Sequence, residues 1–414
     1  MCRNILIVTF LFCLFLNLSA EDIYIKSLRV YSSNNQTSFP VIDNSDQSKK
    51  FITIEFDVQC NYAPNLSIVF KFCDKNWEPY NTAFLKNYGF DTEYNLWLEK
   101  LPLRITDARY HYTGIFPNKN VTFPFSGKWK FYIVDSQNHD RVYAEGKFFV
   151  VYPEVELKVL LEKKRLENLI PEIAALGRVF YIKVYFNLPD TLFNSYIDLV
   201  EIIENKKIAY PIRIEKEKPT DKTYYEWNGS NEFLFIAKDI KPGNEYRQTD
   251  LRDTNRYYLK NVNAQYDGIE VSDFFRKRKK DFNGGSIIID YKNEYAEYMN
   301  VTFRLRPPEN IKSSVFLIGD FNNWELLPQY KMLDIDGLLN LTIELKRGIY
   351  DYQYVVVNNS DENINEIDWY ILEGNFWETE NDYHIFLYYK TQEKGGYDKI
   401  IGYKKINSGE IWKN

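Results

Sequence analysis

Phe70-Lys-Phe-Cys-Asp-Lys-Asn-Trp77 is the stretch that decides the fold, and Tyr88-Gly-Phe90, Tyr110-His-Tyr112 and Ile115-Phe-Pro-Asn118 follow it. Aromatic side chains recur along these segments, and polar turn residues separate them. Aromatic and β-branched residues favour strands, and short strands divided by turns are typical of a β-sandwich. None of these segments contains a recognisable catalytic group, so the pattern indicates a protein that presents a binding surface.

Alternation of apolar and polar residues extends this interpretation to most of the chain. It is clearest at Ile52–Val58, Lys128–Val134 and Val301–Leu305. A period of two, interrupted by Asn, Asp, Gly and Pro, predicts antiparallel strands. Only Leu161–Leu176 has a helical pattern, and Pro171 lies inside it. The sequence therefore predicts an all-β protein of tandem antiparallel β-sandwiches, immunoglobulin-like or early-set-like, with at most a short helix in that segment.

The first 20 residues have the pattern of a targeting segment. Arg3 precedes an apolar run from Ile5 to Leu16, and small or polar residues follow up to Ala20. The run is too short to span a bilayer and is typical of a cleaved signal peptide. We expect cleavage after Ala20, export to the periplasm, and no transmembrane span in the mature chain.

Length and turn residues predict three modules. A chain of 414 residues is too long for one hydrophobic core. A strand ends at Val151 before Tyr152-Pro153, and Gly284-Gly285 precedes a strand that begins near Met299. We therefore expect a signal peptide at 1–20, a β-sandwich at 21–152, a β-rich middle module at 153–290, an early-set-like sandwich at 291–403 and a polar tail at 404–414.

Two cysteines, Cys60 and Cys73, remain after removal of the signal peptide. The sequence predicts strands at Phe51–Cys60 and Leu66–Trp77, joined as a hairpin by the turn Asn61–Pro64. In such a hairpin Cys60 would face residues just after the turn rather than Cys73. An oxidising compartment would permit a disulfide. Two buried thiols that pack as small apolar side chains are the favoured interpretation.

A turn in the third module suggests a sugar site. Val315–Trp324 ends in Gly-Asp-Phe-Asn-Asn-Trp, and Gly348–Val357 predicts a second strand. The pair resembles the early-set sandwich of starch- and glycogen-binding modules, in which a Trp ring stacks on glucose and amides bond its hydroxyls. That resemblance implies carbohydrate-binding roles for Trp324, Asn322 and Asn323. A second stacking Trp does not follow the second strand closely, so packing of Trp324 on its own sandwich is the favoured alternative.

Catalytic, metal and nucleic-acid functions lack a sequence signature. The three histidines, His111, His139 and His384, lie in separate segments without a protease or esterase context. The carboxylates stand in no glycosidase frame, and Cys and His lack metal-ligand spacing. A net charge of −6 disfavours nucleic acid, which requires clustered cations. We therefore expect neither enzymatic activity nor a cofactor.

One run of charge stands out in the middle module. Arg276–Lys280 contains five adjacent cations behind Phe274 and Phe275. Such a run fits an acidic partner or anionic lipid head groups. A solvated loop, or an edge strand protected by like charges, is the commoner explanation.

Several segments, in this order, resemble the plug protein of the bacterial type IX secretion system. They are Phe72–Trp77, Tyr88–Phe90, Tyr110–Tyr112, Gly243–Arg247 and Glu373–Tyr383. The resemblance implies a non-enzymatic periplasmic protein that is associated with the outer membrane through a partner barrel. It further implies that the protein binds the periplasmic mouth of the secretion translocon and keeps it closed when no cargo passes.

The resemblance also suggests where the partner binds. Rigid sandwiches that present aromatic side chains suit a broad interface, because Tyr and Trp are enriched at binding hot spots. We expect the first module and Glu373–Tyr383 to form the docking surface, with Trp377, Phe376 and Tyr383 as partner-binding residues. We expect Trp77 in the core instead.

Overall fold

The protein is almost entirely β-structure in a computed structural model that describes residues 22–166, 176–359 and 365–411. In these ranges the single α-helix is α1 (Ser408–Ile411). The strands form six sheets, which pack as three sandwiches. The predicted all-β class is therefore confirmed. The predicted signal peptide lies outside the described residues and stays a prediction.

The first sandwich occupies residues 24–151. Its strands are β1 (Tyr24–Ser32), β2 (Val41–Asp43), β3 (Ile52–Gln59), β4 (Leu66–Cys73), β5 (Thr92–Glu93), β6 (Glu99–Lys100), β7 (Tyr110–Phe116), β8 (Gly127–Asp135) and β9 (Val142–Val151). The sheet orders are β1-β3-β7-β6 and β2-β9-β8-β4-β5. Alternate residues of the long strands, such as Phe56, Phe70 and Phe131, point into one shared core and are buried.

The predicted hairpin between β3 and β4 is wrong, because these strands lie in different sheets. Residues 61–65 carry the chain across the core instead of folding it back beside β3. Ile54 and Ile68 explain this crossing: both are fully buried in the same core, which the two sheets enclose from opposite sides. Cys60 and Cys73 are both buried and no disulfide joins them, as the favoured interpretation predicted.

The strands after the first sandwich follow in three groups. The first group is β10 (Lys158–Arg165), β11 (Arg178–Asn187), β12 (Ile197–Glu204), β13 (Ile212–Glu215), β14 (Thr223–Trp227) and β15 (Glu232–Ile240). The second is β16 (Arg247–Asp250), β17 (Asn261–Asn263), β18 (Glu270–Val271), β19 (Ser286–Ile288), β20 (Tyr298–Arg306), β21 (Ser314–Gly319), β22 (Leu333–Ile335), β23 (Leu338–Lys346), β24 (Gly348–Asn359) and β25 (Asn365–Asp368). The third is β26 (Asp382–Thr391) and β27 (Tyr397–Asn407).

The last two strands complete the second sandwich. Its sheets have the orders β10-β11-β15-β14 and β13-β12-β26-β27. The third sandwich is therefore inserted between β15 and β26, with sheets β16-β24-β19 and β17-β20-β23-β22; β21 and β25 also pair with β24, and β18 pairs with β20. The sheets thus group the chain differently from the modules predicted at 153–290 and 291–403, because each sandwich takes strands from both. Residues 404–407 of the predicted tail belong to β27.

Residues 161–165 of the segment with the helical pattern form a strand. β10 pairs with β11 from Lys158 opposite Tyr185 to Arg165 opposite Arg178, so these residues are not part of the short helix that the pattern allowed. Residues 167–175 lie outside the described residues. β10 is an edge strand with mostly exposed residues, and its sequence therefore lacks the clear alternation of a half-buried strand.

Candidate functional site

Trp324, the candidate sugar-stacking residue, is packed inside the protein. Its side chain is fully buried, and its indole nitrogen donates to the Gly284 carbonyl over 2.8 Å. Its ring lies 4.3 Å from that of Tyr246. Gly284 has φ +83°, and a Cβ there would lie 3.1 Å from the Trp324 ring, so this close approach requires glycine. The turn therefore offers no free Trp face to a sugar.

The two asparagines of the same turn support its structure. Asn322 is buried, its Oδ1 accepts from the Gly319 amide at 3.0 Å, and its Nδ2 donates to the Leu317 carbonyl at 3.2 Å. Asn323 is exposed and adopts the left-handed conformation at φ 53° that closes the turn. Of the three candidate carbohydrate-binding residues, only Asn323 reaches the surface.

A cleft of about 170 Å³ lies where the three sandwiches meet. Ion pairs cross its rim. Lys147 of the first sandwich lies 2.8 Å from Glu325, and Lys206, which follows β12, lies 3.3 Å from Asp320. Both acids belong to the third sandwich. The cleft is therefore a junction, and these two ion pairs join its walls.

A buried carboxylate, Asp57, joins the first sandwich to the third. Its Oδ1 lies 2.7 Å from His111 Nδ1, and its Oδ2 accepts from Lys346 Nζ at 2.6 Å and from the Tyr298 hydroxyl at 2.7 Å. Burial alone would raise the pKa of Asp57, but the His111 hydrogen bond and the Lys346 charge outweigh it and lower that pKa. Removing one partner of such a buried pair costs about 3–5 kcal/mol. The cluster therefore fixes the two sandwiches against each other.

Lys128 and Glu201 form a buried ion pair that joins the first sandwich to the second. Lys128 Nζ lies 2.9 Å from Glu201 Oε1, and Arg213 Nε donates to Glu201 Oε2 at 3.0 Å. Trp77 packs beside them, with its ring 5.1 Å from that of Phe149. Trp77 is buried, as predicted. The three sandwiches are thus joined by buried charges as well as by apolar contacts.

Residues 373–383, predicted to dock a partner, run between the second and third sandwiches. Phe376 is 8% exposed and Tyr383 is fully buried. Arg247 Nε donates to both carboxylate oxygens of Glu373 at 2.9 Å. Tyr383 belongs to β26 and packs in the core of the second sandwich. Phe376 and Tyr383 are therefore buried and present no docking surface in this conformation.

Trp377 is the one of the three predicted partner-binding residues that keeps an accessible surface. It is half-buried, and its indole nitrogen donates to the Val179 carbonyl at 3.3 Å. The guanidinium groups of Arg165 and Arg178 lie 5.2 Å and 5.9 Å from its ring centre. Such cation–π contacts contribute about 0.5–1 kcal/mol each at partly exposed sites.

Five exposed aromatic side chains lie instead on an irregular segment of the first sandwich, residues 84–97, here called the aromatic edge. The segment joins its sheet through β5, which pairs with two residues of β4, and through the Leu96 amide, which donates to the Leu66 carbonyl at 2.8 Å. Its exposed rings, with their exposed fractions, are Phe84 (70%), Tyr88 (65%), Phe90 (49%), Tyr94 (59%) and Trp97 (84%). Exposed apolar side chains that occur singly need no explanation, whereas five on one short segment make that segment a candidate interaction surface.

Asn87 shapes the middle of the aromatic edge. Its Nδ2 donates to the Thr122 carbonyl at 2.8 Å and to the Phe90 carbonyl at 3.1 Å, which fixes a turn without burying the rings. Sequence reasoning included Tyr88–Phe90 in the family resemblance but missed Phe84, Tyr94 and Trp97 as binding candidates. The available signal was a density of aromatic residues without the alternation of a strand.

The histidines occupy structural positions. His111 belongs to the Asp57 cluster, and His384 is buried with a pKa that burial lowers to about 3. His139 is exposed beside Tyr94, with ring centres 6.1 Å apart. In the part of the chain that the structure describes, no group of three His, Cys, Asp or Glu side chains could hold a metal ion. In the same residues, no helix has the length and apolar character needed to cross a membrane.

Comparison with known proteins identifies a family for the first sandwich. Residues 25–152 match the family described as type 9 secretion system plug protein 1st domain. Among solved structures, the crystal structure of a hypothetical protein from Parabacteroides merdae ATCC 43184 is similar over 94% of this chain and 98% of that chain, with a TM-score of 0.75 and 19% identity. At this identity the similarity shows the fold alone. No curated protein matches the chain.

Proposed function

We propose that this chain, whose first sandwich belongs to the type 9 secretion system plug family, is a non-enzymatic plug or accessory subunit of that system. In this proposal the protein is exported to the periplasm and binds the periplasmic end of the outer-membrane translocon barrel. It keeps the barrel closed when no cargo passes, and its association with the outer membrane runs through that partner.

The aromatic edge is the observation that carries the proposal, because it lies within the residues that match the family. Trp97 and Phe84 are 84% and 70% exposed, which leaves most of each ring free to be covered by a partner. Interfaces gain most of their energy from a few large aromatic or Arg side chains that become buried on binding. The aromatic edge supplies five such side chains on one segment.

The junctions between the sandwiches support a plugging role. Asp57 and Glu201 are almost fully buried, and each holds charged partners from a neighbouring sandwich. Breaking either cluster would leave a buried charge without a partner, so relative movement of the sandwiches is costly. A body that closes a wide pore must resist deformation, and this arrangement provides that rigidity.

Co-purification with the translocon barrel tests the proposal. We expect the mature protein to be retained by the detergent-solubilised barrel, and the Trp97→Ala/Phe84→Ala variant to be retained poorly. The matched control is Trp227→Ala/Phe193→Ala, which removes one Trp and one Phe from exposed positions on the second sandwich. Failure to co-purify with any outer-membrane barrel would reject the proposal. Equal loss in both double variants would reject the aromatic edge as the docking surface.

Deletion of the gene tests the sealing step separately. We expect the outer membrane to become permeable to large solutes while secretion largely persists, because an open barrel still transports. Complementation with the wild-type chain should restore the barrier, and complementation with the Trp97→Ala/Phe84→Ala variant should not. Unchanged permeability after deletion would contradict sealing even if the protein binds the barrel.

A further inference from the structure

The run Arg276–Lys280 is partly neutralised within the chain. Lys277 Nζ lies 3.1 Å from Glu378, Lys280 Nζ lies 2.6 Å from Glu380, and Arg278 pairs with Asp273. Arg276 and Lys279 are exposed, and no carboxylate among the described residues lies within ion-pair distance of either. The Lys277 pair has both side chains 61% exposed, so it is weak and exchangeable.

The first four cations of the run line an open groove of about 380 Å³ on the third sandwich, here called the basic groove. Its lining residues are Tyr246, Gln248, Gln265, Asp273, Arg276, Lys277, Arg278 and Lys279. Asp273 is the one acid among them, and it is already engaged by Arg278 and by Arg247 at 3.6 Å. The groove therefore presents positive charge, which suits phosphate oxygens.

Two exposed aromatic residues are the sequence neighbours of residues that line the basic groove. Phe275 precedes Arg276 and is 78% exposed; Tyr266 follows Gln265 and is 76% exposed. Phe275 contacts the protein through the neighbouring ring of Phe274, with centres 4.6 Å apart. A phenylalanine held outward next to cations has an apolar ring that water solvates poorly and no polar atom with which to bind a carboxylate.

We infer that the basic groove and Phe275 form a contact site for a bilayer surface that carries anionic phospholipid head groups. Cations near such a surface each gain about 1 kcal/mol, which is roughly fivefold in affinity. An adjacent aromatic ring gains by entering the boundary between head groups and acyl chains. Cations together with an apolar ring are the combination that binds the interface of an anionic bilayer, and an acidic protein partner is the alternative that the vesicle experiment separates from it. The site goes beyond the proposed function, because it is a direct contact with the membrane.

The overall charge of the protein favours one orientation of the protein on the membrane. The chain carries a net charge of −6, so most of its surface is repelled by an anionic bilayer. At physiological ionic strength, charges act over about 8 Å, and distant acids are therefore screened. The positive groove is then the face that approaches the membrane.

Vesicle co-sedimentation of the full mature protein tests the inference. The probes are phosphatidylcholine vesicles and vesicles that also contain phosphatidylglycerol. We expect binding only to the anionic vesicles, weakening as salt is raised. The Arg276→Glu/Lys279→Glu variant should bind at least about tenfold more weakly, and Phe275→Ala should weaken binding by a smaller factor.

Matched variants on the second sandwich provide the controls. Lys218→Glu/Lys222→Glu makes the same change in net charge at side chains that are 80% and 71% exposed, and Phe193→Ala removes a ring that is 66% exposed. Thermal unfolding should be unchanged in all four variants. No binding to anionic vesicles, or equal weakening by the control pair, would overturn the inference. Retention on immobilised polyglutamate without vesicle binding would overturn it in favour of an acidic protein partner.

Discussion

The aromatic edge at 84–97 and the segment at 373–383 are both rich in aromatic residues, yet the structure uses them in opposite ways. Trp97 of the aromatic edge is 84% exposed, whereas Phe376 is 8% exposed and Tyr383 is fully buried. The aromatic edge belongs to one sandwich and lies at the end of the sheet β2-β9-β8-β4-β5. The other segment links the third sandwich back to the second and has packed structure on both sides. Packed structure on both sides therefore buries Phe376 and Tyr383, whereas the rings of the aromatic edge stay exposed.

The largest effect should come from removing the buried positive charge that binds residues 373–383. Arg247→Ala removes the partner of Glu373 and of Glu270, each 2.9 Å away, from a site where the Arg247 side chain is 1% exposed. We expect a loss of about 3–5 kcal/mol in the free energy of unfolding, because two buried carboxylates lose their counter-charge. Urea denaturation of the wild-type protein and of the variant measures this loss.

The control for that experiment is an arginine on the same sandwich. Arg252 pairs with Asp250 at 2.8 Å, but both side chains are about half exposed. Arg252→Ala should cost less than about 1 kcal/mol. If the two variants lost equal stability, the segment at 373–383 would not be held by its buried charges.

The next effect concerns binding. Trp97→Ala should leave the free energy of unfolding within about 0.5 kcal/mol and weaken retention by the translocon barrel by about 2 kcal/mol. Trp377→Ala should affect retention less, because that ring is half-buried between two arginines. Quantitative pull-down measures the retention of each variant by the barrel, and thermal unfolding measures its stability. A larger loss of binding for Trp377→Ala than for Trp97→Ala would indicate that residues 373–383 form the docking surface instead.

The sequence predicted the strands better than their partners. Ile52–Val58 and Lys128–Val134 were expected as strands and lie within β3 and β8. Alternation reports which face of a strand is buried, and it carries no information on which strand lies beside it. The pairing of β12 with β26, which places Ile202 opposite Ile385, joins residues far apart in the chain. The inserted third sandwich was therefore invisible to local patterns.

The candidate site was predictable to a smaller extent. The first module was expected to dock a partner, and the aromatic edge lies there. Trp377, Phe376 and Tyr383 were chosen from a motif, but burial depends on the crossing between sandwiches, which the motif does not encode. Trp324 shows the same limit, since the Gly284 carbonyl that binds its indole lies 2.8 Å away in space but 40 positions earlier in the chain.

A smaller, pH-dependent effect should appear beside the buried segment. Glu245, whose Oε1 accepts from the Glu380 amide at 2.7 Å, lies in the same cluster as Asp281 and Asp351. Burial raises the pKa of Asp351 to about 7. The folded state then holds a proton that the unfolded state, with a carboxyl pKa of about 3.9, has released. This contribution to stability is complete below about pH 4 and is lost as the pH rises to about 7.

Asp351→Asn isolates that contribution. Urea midpoints for the wild-type protein and the variant, measured between about pH 4 and about pH 8, should differ in slope, and the variant should lose less stability as the pH rises. His384 contributes the opposite slope, because burial lowers its pKa to about 3, and it is present in both proteins. Parallel curves would show that Asp351 titrates normally in the folded state.

The smallest expected effect is the absence of a sugar response at the turn that first suggested one. Glucan added to the mature protein should leave its tryptophan fluorescence unchanged, because Trp324 is fully buried and its indole nitrogen already donates to Gly284. Asn323→Ala, which alters the exposed residue of the turn, should change nothing further. Glucan quenching with micromolar affinity, abolished in Trp324→Phe but kept in Trp377→Phe, would mean that the turn opens to bind sugar. The division between buried and exposed aromatic segments would then depend on ligand as well as on topology.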